Sequence, residues 1–174
     1  MAGRPPTDAT LDTGPPDLLR HEALRLWAEG CRAHARKQFE RAIHLYRQSI
    51  AVCPTGEAHT WLAWAYSRRG RVEAAIEECH RAIAVDPDFG NPYNDIGAYL
   101  VAAGELDEAE PWFALAKASQ RYEPRHYPFL NLGRLFLAKG EPGRALEEFR
   151  GAVAHHPGDR EALAAIGEIR ALMV

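Results

Sequence analysis

Hydrophobic positions along most of this chain recur every three or four residues, the spacing of one face of an α-helix. The segment 23–159 divides into blocks with two such stripes each, separated by a short polar or glycine-containing turn. A single amphipathic stretch, 160–172, follows, and Leu163, Ile166 and Ile169 form its apolar stripe. The pattern predicts an all-α protein built from helix pairs, with one unpaired helix at the end.

The blocks repeat one another. CRAHARKQFERAIHLYRQSIAVCP (31–54) aligns with WAYSRRGRVEAAIEECHRAIAVDP (64–87), and both close on a proline. The second helix of each block carries an alanine with a larger residue four positions later; the alanines are Ala42, Ala75, Ala109 and Ala145. A small residue in each first helix, and again in the last helix, recurs at spacings of 33, 34, 36 and 34 residues. These small residues are Gly30, Ala63, Gly97, Gly133 and Gly167.

A period of about 34 residues with two helical stripes per copy resembles the tetratricopeptide repeat (TPR) family. The resemblance implies a right-handed α-α superhelix (solenoid) of four helix pairs, at 23–55, 56–89, 90–123 and 126–159. The helix at 160–172 would cap the last pair, because a helix pair of such an array buries its apolar face only against its neighbours. The first copy departs from the pattern, since Glu29 replaces an apolar residue and no glycine marks its turn.

The ends of the chain are assigned from composition. Residues 1–16 are rich in Pro, Thr, Asp and Gly and have little to bury, so we expect a flexible Pro-rich tail there. Asp17 is expected to cap a helix that begins at Leu18, and the TPR domain is expected to span 17–172.

Gly97 lies inside an otherwise good helical segment, where glycine costs about 1 kcal/mol relative to alanine. Its register places it opposite Ala109 of the paired helix, so we interpret it as a point where two helix axes approach closely. The alternative, a phosphate-binding loop, needs a preceding strand and a following Lys-Ser/Thr, and neither occurs near Gly90 to Gly104.

Composition narrows the function further. The 174 residues carry a formal net charge of −3, which gives no basic field for nucleic acid or anionic lipid. No apolar leader and no run of about 20 apolar residues is found, and three widely spaced cysteines favour free thiols, so we expect a cytoplasmic protein. The eight histidines are scattered, without a metal-ligand spacing, and no G-x-S-x-G occurs; we therefore expect no metal, no cofactor and no enzymatic activity.

The resemblance also implies a binding groove, because first helices line the concave side of such arrays. The groove side chains expected from this register are Trp27, Thr60, Trp61, Trp64, Arg68, Asn91, Asn94, Asp95, Tyr127, Asn131 and Arg134. Large aromatic residues are enriched at binding hot spots, and asparagines can hydrogen-bond a peptide backbone. Some of the tryptophans could instead pack between repeats as core.

One subset of the family clamps a C-terminal carboxylate through Lys, Asn and Arg. The corresponding places here hold residues such as Trp27, Cys31, Trp61, Asn91 and Asp95, so a carboxylate clamp is not expected. The sequence thus predicts an adaptor that binds a peptide or helix of a partner protein. Two alternatives stay open: a scaffold that self-assembles through its repeat faces as a homo-oligomer, and, less favoured, a metal-dependent or catalytic module.

Overall fold

The computed structural model describes residues 16–172, so residues 1–15 of the expected tail lie outside the described residues. Within this range the chain forms α-helices throughout. They are α1 Pro16–Ala35, α2 Phe39–Val52, α3 Gly56–Ser67, α4 Val72–Val85, α5 Asn91–Ala103, α6 Leu106–Ala118, α7 Tyr127–Ala138, α8 Pro142–His155 and α9 Arg160–Leu172. Helix α1 begins two residues before the predicted Leu18, so Asp17 lies in its first turn instead of capping it. Proline is favoured at a first helical position, which explains the earlier start.

The helices pack as four antiparallel pairs in chain order, and α9 packs on α8. The first helices also contact one another in a row, α1 with α3, α3 with α5, and α5 with α7. The second helices of the described pairs make no comparable contacts with one another, so they diverge on the outer side. This asymmetry curves the array into an all-α helical repeat superhelix, with the first helices on its concave side.

The turn inside each pair needs one residue with left-handed backbone conformation. Gly70, Gly104 and Gly140 adopt it with φ of 73°, 88° and 74°. Lys37 takes the same place in the first pair with φ 59°. The turn of the first copy is therefore the same as the others, although a side chain makes it less favourable there.

Gly30, Gly97 and Gly133 of the first helices each receive an aromatic ring from the second helix of the same pair. A Cβ atom added to Gly97 would lie 2.7 Å from Phe113 Cε1, and one added to Gly133 would lie 2.7 Å from Phe149 Cε1. Both rings are almost fully buried, at 1% exposure. The interpretation of Gly97 as a close approach of two helices is confirmed, and dispersion contacts with the ring offset the low helix propensity of glycine.

Helix α9 packs at the end of the described array, and the apolar residues that it buries differ in part from those predicted. Ala162 and Ile169 are buried, and Ile166 is partly buried against the same core, but Leu163 is 48% exposed. Leu163 lies one position after Ala162, and a step of 100° along the helix turns it away from α8. No helix within residues 16–172 combines the length and apolar character that a membrane span requires.

Candidate functional site

A line of hydrogen-bonded side chains crosses the concave surface from α3 to α9. The indole N–H of Trp64 donates to Asp95 on α5, and the amide of Asn131 on α7 donates to Asn94 Oδ1 at 2.8 Å. Arg134, one turn further along α7, donates through Nη1 to Asn131 Oδ1 at 2.8 Å, and its Nε and Nη2 donate to the two carboxylate oxygens of Glu161 on α9. We call this set the groove ladder: Trp64, Asp95, Asn94, Asn131, Arg134 and Glu161.

Five of the predicted groove side chains, Trp64, Asn94, Asp95, Asn131 and Arg134, belong to this ladder. Glu161 is its sixth member, and sequence reasoning assigned it only to the wet side of the last helix. The sequence does contain a signal for this placement, namely the register of Glu161. In repeat register, Glu161 near the start of α9 corresponds to Tyr127 at the start of α7, which is the first helix of the fourth pair. Reading α9 as a first helix would have placed Glu161 next to the groove.

An aromatic cluster continues the same surface toward the beginning of the array. The ring centroids of Trp64 and Trp61 are 4.8 Å apart, and those of Trp61 and Trp27 are 6.3 Å apart. His34 packs edge-on against Trp61 at 5.4 Å. Trp27 and Trp61 are partly buried against the core of the first two pairs. Each side chain therefore packs partly in the core and keeps a part exposed to solvent.

A cavity of about 230 Å³ opens beside Trp27 at this end of the groove. Its walls come from α1, from the end of α2 and from the start of α3; they are Arg20, Ala23, Leu24, Trp27, Ser49, Cys53, Thr55 and Glu57. The floor is largely apolar, with Arg20 and Glu57 as the charged groups among its lining residues. A cavity of this size fits one large apolar side chain of a ligand.

Asp95 lies at the middle of the groove in an unusual electrostatic position. Burial raises its pKa from 3.8 to about 7, and the N–H donated by Trp64 opposes that shift. Within the described part of the chain, no Lys, Arg or His lies within ion-pair distance of it. The carboxyl group is thus a strong acceptor without a cationic partner.

The other predicted groove residues differ in their exposure and in their position relative to the ladder. Thr60 is 2% exposed, and its hydroxyl donates to the Gly56 carbonyl at 2.8 Å, so this side chain does not reach the groove surface. Threonine commonly satisfies its hydroxyl on the preceding helical turn, which hides it from a ligand. Tyr127 is 45% exposed on α7. Asn91 is the first residue of α5, and Arg68 directly follows α3 and lies over the Phe39 ring. Neither side chain takes part in the hydrogen bonds of the ladder.

A second grouping was not visible in the sequence. His126, His156 and Asp159 come together beyond the end of the ladder, with one potential ligand atom from each lying within 4.8 Å of the others. His126 stands 30 residues before His156, so no local spacing connects them. Only the stacking of the fourth pair on α9 brings them together.

The family model described as "Tetratricopeptide repeat" matches residues 22–88 and 130–172, together more than half of the chain. The chain is 33% identical over 94 residues to "Small glutamine-rich tetratricopeptide repeat-containing protein 2" of Mycosarcoma maydis, which covers 53% of this chain and 26% of that protein. It is 35% identical over 77 residues to "Heat-shock protein cognate (HSC) co-chaperone sgt12" of Aspergillus fumigatus, covering 44% of this chain and 23% of that protein. The matched region thus spans about a quarter of the length of these relatives.

A solved structure of pilF from Pseudomonas aeruginosa has a similar fold. It superimposes with a TM-score of 0.77 at 23% identity, over 88% of this chain and 68% of that one. At this identity the likeness concerns the fold.

Proposed function

This chain belongs to the tetratricopeptide repeat family, and from that premise we propose that its concave groove binds an extended peptide or a helix of a partner protein. In this proposal the chain is a non-catalytic adaptor, and the groove ladder together with the tryptophan cluster is the binding surface. We further propose a cytoplasmic location, which the free thiols of Cys31, Cys53 and Cys79 support.

The observation that carries the proposal is the alignment of the ladder with the tryptophan cluster. The two sets form one line along the inner helices, with aromatic rings at the first half and amides at the second. Asn131 uses one amide N–H and its carbonyl within the ladder, and its second N–H has no partner among residues 16–172, so it can donate to a ligand carbonyl. Aromatic anchors and spaced amide donors are the two elements that extended-peptide recognition uses.

The charge at the centre of the groove favours a basic ligand. Asp95 has a carboxyl group without a cationic partner in residues 16–172, so a Lys or Arg side chain of the ligand would gain a charge-assisted hydrogen bond there. An acidic C-terminus of the kind that a carboxylate clamp binds would gain no such hydrogen bond from Asp95. We therefore propose an internal, basic-aromatic segment as the ligand, although one relative is named as a co-chaperone.

The experiment starts by selecting peptides from a random 16-residue phage library on the immobilised full chain. Calorimetry then measures one selected peptide against the wild type and against Trp64→Phe and Asn131→Ala. Trp64→Phe removes the indole N–H that holds Asp95 and keeps an aromatic ring, and Asn131→Ala interrupts the ladder. We expect each to raise Kd by about tenfold, which corresponds to about 1.4 kcal/mol.

The matched control is Gln48→Ala, an exposed position on α2 at the outer side of the array. It should leave the peptide affinity unchanged, and circular dichroism should show that all variants keep their helix content. If the selected peptides bind equally well to both groove variants, or if their enrichment shows no basic or aromatic preference, the groove proposal is wrong.

One observation favours the self-assembly alternative enough to test it beside the first. A Cβ atom added to Gly167 meets nothing within 4 Å, whereas the equivalent glycines receive a ring, and Leu163 on the same helix is 48% exposed. A second copy could cover this face of α9. Light scattering of the wild type and of Leu163→Glu over a hundredfold concentration range tests it, and a constant monomer mass would exclude it.

A further inference from the structure

Three metal-ligating side chains converge where the fourth helix pair meets α9. His126 immediately precedes α7, His156 immediately follows α8, and Asp159 immediately precedes α9. The side chain of Asp159 is 10% exposed, that of His126 is 14% exposed and that of His156 is 54% exposed. The grouping therefore has one buried member, one partly buried member and one member open to solvent, which leaves a path for an ion to enter.

The Asp159 carboxylate is fixed in orientation by its role at the helix end. Its Oδ1 accepts the backbone N–H of Ala162 at 2.9 Å and so caps α9. The other oxygen, Oδ2, lies 3.7 Å from His126 Nε2 and 3.6 Å from His156 Nδ1. Both distances are too long for a hydrogen bond.

These separations are close to those of ligands that share one metal ion. Bonds of about 2.0–2.2 Å to a tetrahedral zinc place neighbouring ligand atoms about 3.3 Å apart. The two imidazoles have ring centroids 4.8 Å apart, and all three ligand atoms lie within 4.8 Å of one another, so rotation of the two rings would bring their nitrogens and Asp159 Oδ2 onto one ion. The spacing that is wrong for direct hydrogen bonds is thus nearly right for a shared cation.

The donor set selects the class of metal. Two imidazole nitrogens and one carboxylate oxygen suit Zn²⁺, Co²⁺, Ni²⁺ or Cu²⁺, whereas Mg²⁺ and Ca²⁺ prefer oxygen ligands only. Three protein ligands leave a fourth position for water.

We propose that His126, His156 and Asp159 bind one divalent transition metal ion, with Zn²⁺ as the reference ion. The ion connects the start of α7 to the turn between α8 and α9 and so fixes the end of the array. The Tyr127 ring packs on the His126 ring with a centroid distance of 4.4 Å, so the bound ion also fixes the last aromatic side chain of the groove. This inference does not depend on the peptide-binding proposal, because it rests on a different set of residues.

The test uses the full chain without a histidine tag, treated with a chelator and then titrated with ZnCl₂ in a calorimeter. We expect one ion per chain and a rise in the thermal unfolding midpoint on saturation. Co²⁺ in place of Zn²⁺ should give the visible absorption of a four-coordinate site. His156→Gln removes an exposed ligand without disturbing the core, and it should weaken Zn²⁺ binding at least tenfold.

Two further variants separate ligation from folding. Asp159→Asn removes the anionic ligand but keeps a good helix cap, so it should weaken Zn²⁺ binding while the helix content stays the same. His155→Gln changes the neighbouring histidine, which packs on Phe129 and is not one of the three ligands, and should bind Zn²⁺ like the wild type. Absence of Zn²⁺ binding, or binding that persists unchanged in His156→Gln and Asp159→Asn, would overturn the proposal.

Discussion

Replacement of Asp95 by asparagine should change how the stability of the protein depends on pH. The folded protein holds the Asp95 proton up to a pKa of about 7, whereas the carboxyl group loses it near 3.8 when exposed to water. Between these values the folded state binds more protons than the unfolded state, so the free energy of unfolding falls as pH rises. Below this range both states are protonated and the effect vanishes, and above it the full cost of the buried charge is present.

The magnitude follows from the shift. One pKa unit corresponds to about 1.4 kcal/mol, so a rise from 3.8 to about 7 corresponds to about 4 kcal/mol at most. The side chain is partly exposed in the groove, and water there reduces the cost of the charge, so we expect about 2 kcal/mol. Cys79 and Tyr99 lie near Asp95 and have pKa values raised mainly by burial, so they stay neutral and add no compensating charge.

The assay is urea denaturation of the wild type and Asp95→Asn, followed by tryptophan fluorescence, at half-unit intervals from about pH 4 to about pH 8. The asparagine can still accept the Trp64 N–H but does not titrate in this range. The stability of Asp95→Asn minus that of the wild type should therefore increase steadily with pH. Because all other titrating groups are the same in the two proteins, their contributions cancel in this difference.

A control of opposite sign is available in Asp107→Asn. The hydrogen bond from Lys139 lowers the pKa of Asp107, so its carboxylate stabilises the folded state at high pH and the effect is lost as pH falls. The stability difference for this variant should fall with rising pH only up to about pH 5 and stay flat above it, because the carboxyl group is ionised in both states there. A flat difference curve for Asp95→Asn, or one with the same direction as the Asp107→Asn curve, refutes the reasoning.

Two further pairs of variants test the packing. Gly97→Ala should destabilise by about 1–3 kcal/mol in urea denaturation, because the new Cβ meets a buried ring at 2.7 Å, whereas Gly167→Ala should be neutral or stabilising by up to about 1 kcal/mol because nothing lies within 4 Å. Equal effects of the two alanines would contradict the role assigned to close helix approach. In the wild type, His59 Nδ1 lies 2.7 Å from Glu78 Oε2, and both side chains are buried. Glu78→Ala leaves His59 without this partner, so it should lower the thermal unfolding midpoint by several degrees. Glu77→Ala, whose side chain is 70% exposed, should change it little, and a loss as large as that of Glu78→Ala would show that the buried pair is not the cause.

The family, the helix pairs and the inner helices that carry the proposed groove residues could be predicted from local signals. A helical spacing of apolar residues, a period of about 34 residues and small residues in constant register all depend on chain neighbours within one turn or one repeat. Because the array is built from equal units, register alone placed Trp64, Asn94 and Asn131 on the inner helices. The same regularity misplaced Thr60, because register gives a helix position and not the hydrogen bond that hides the hydroxyl.

What the sequence by itself determined is therefore the repeat, its helices and the helix to which each residue belongs. Tertiary structure alone decided which side chains meet across repeats: Asp95 with Trp64, Arg134 with Glu161, and His126 with Asp159. These partners are 27 to 33 residues apart, and their contacts depend on the small angle by which each helix pair turns on the one before. That angle results from the packing of many side chains together, so no local pattern in the chain contains it.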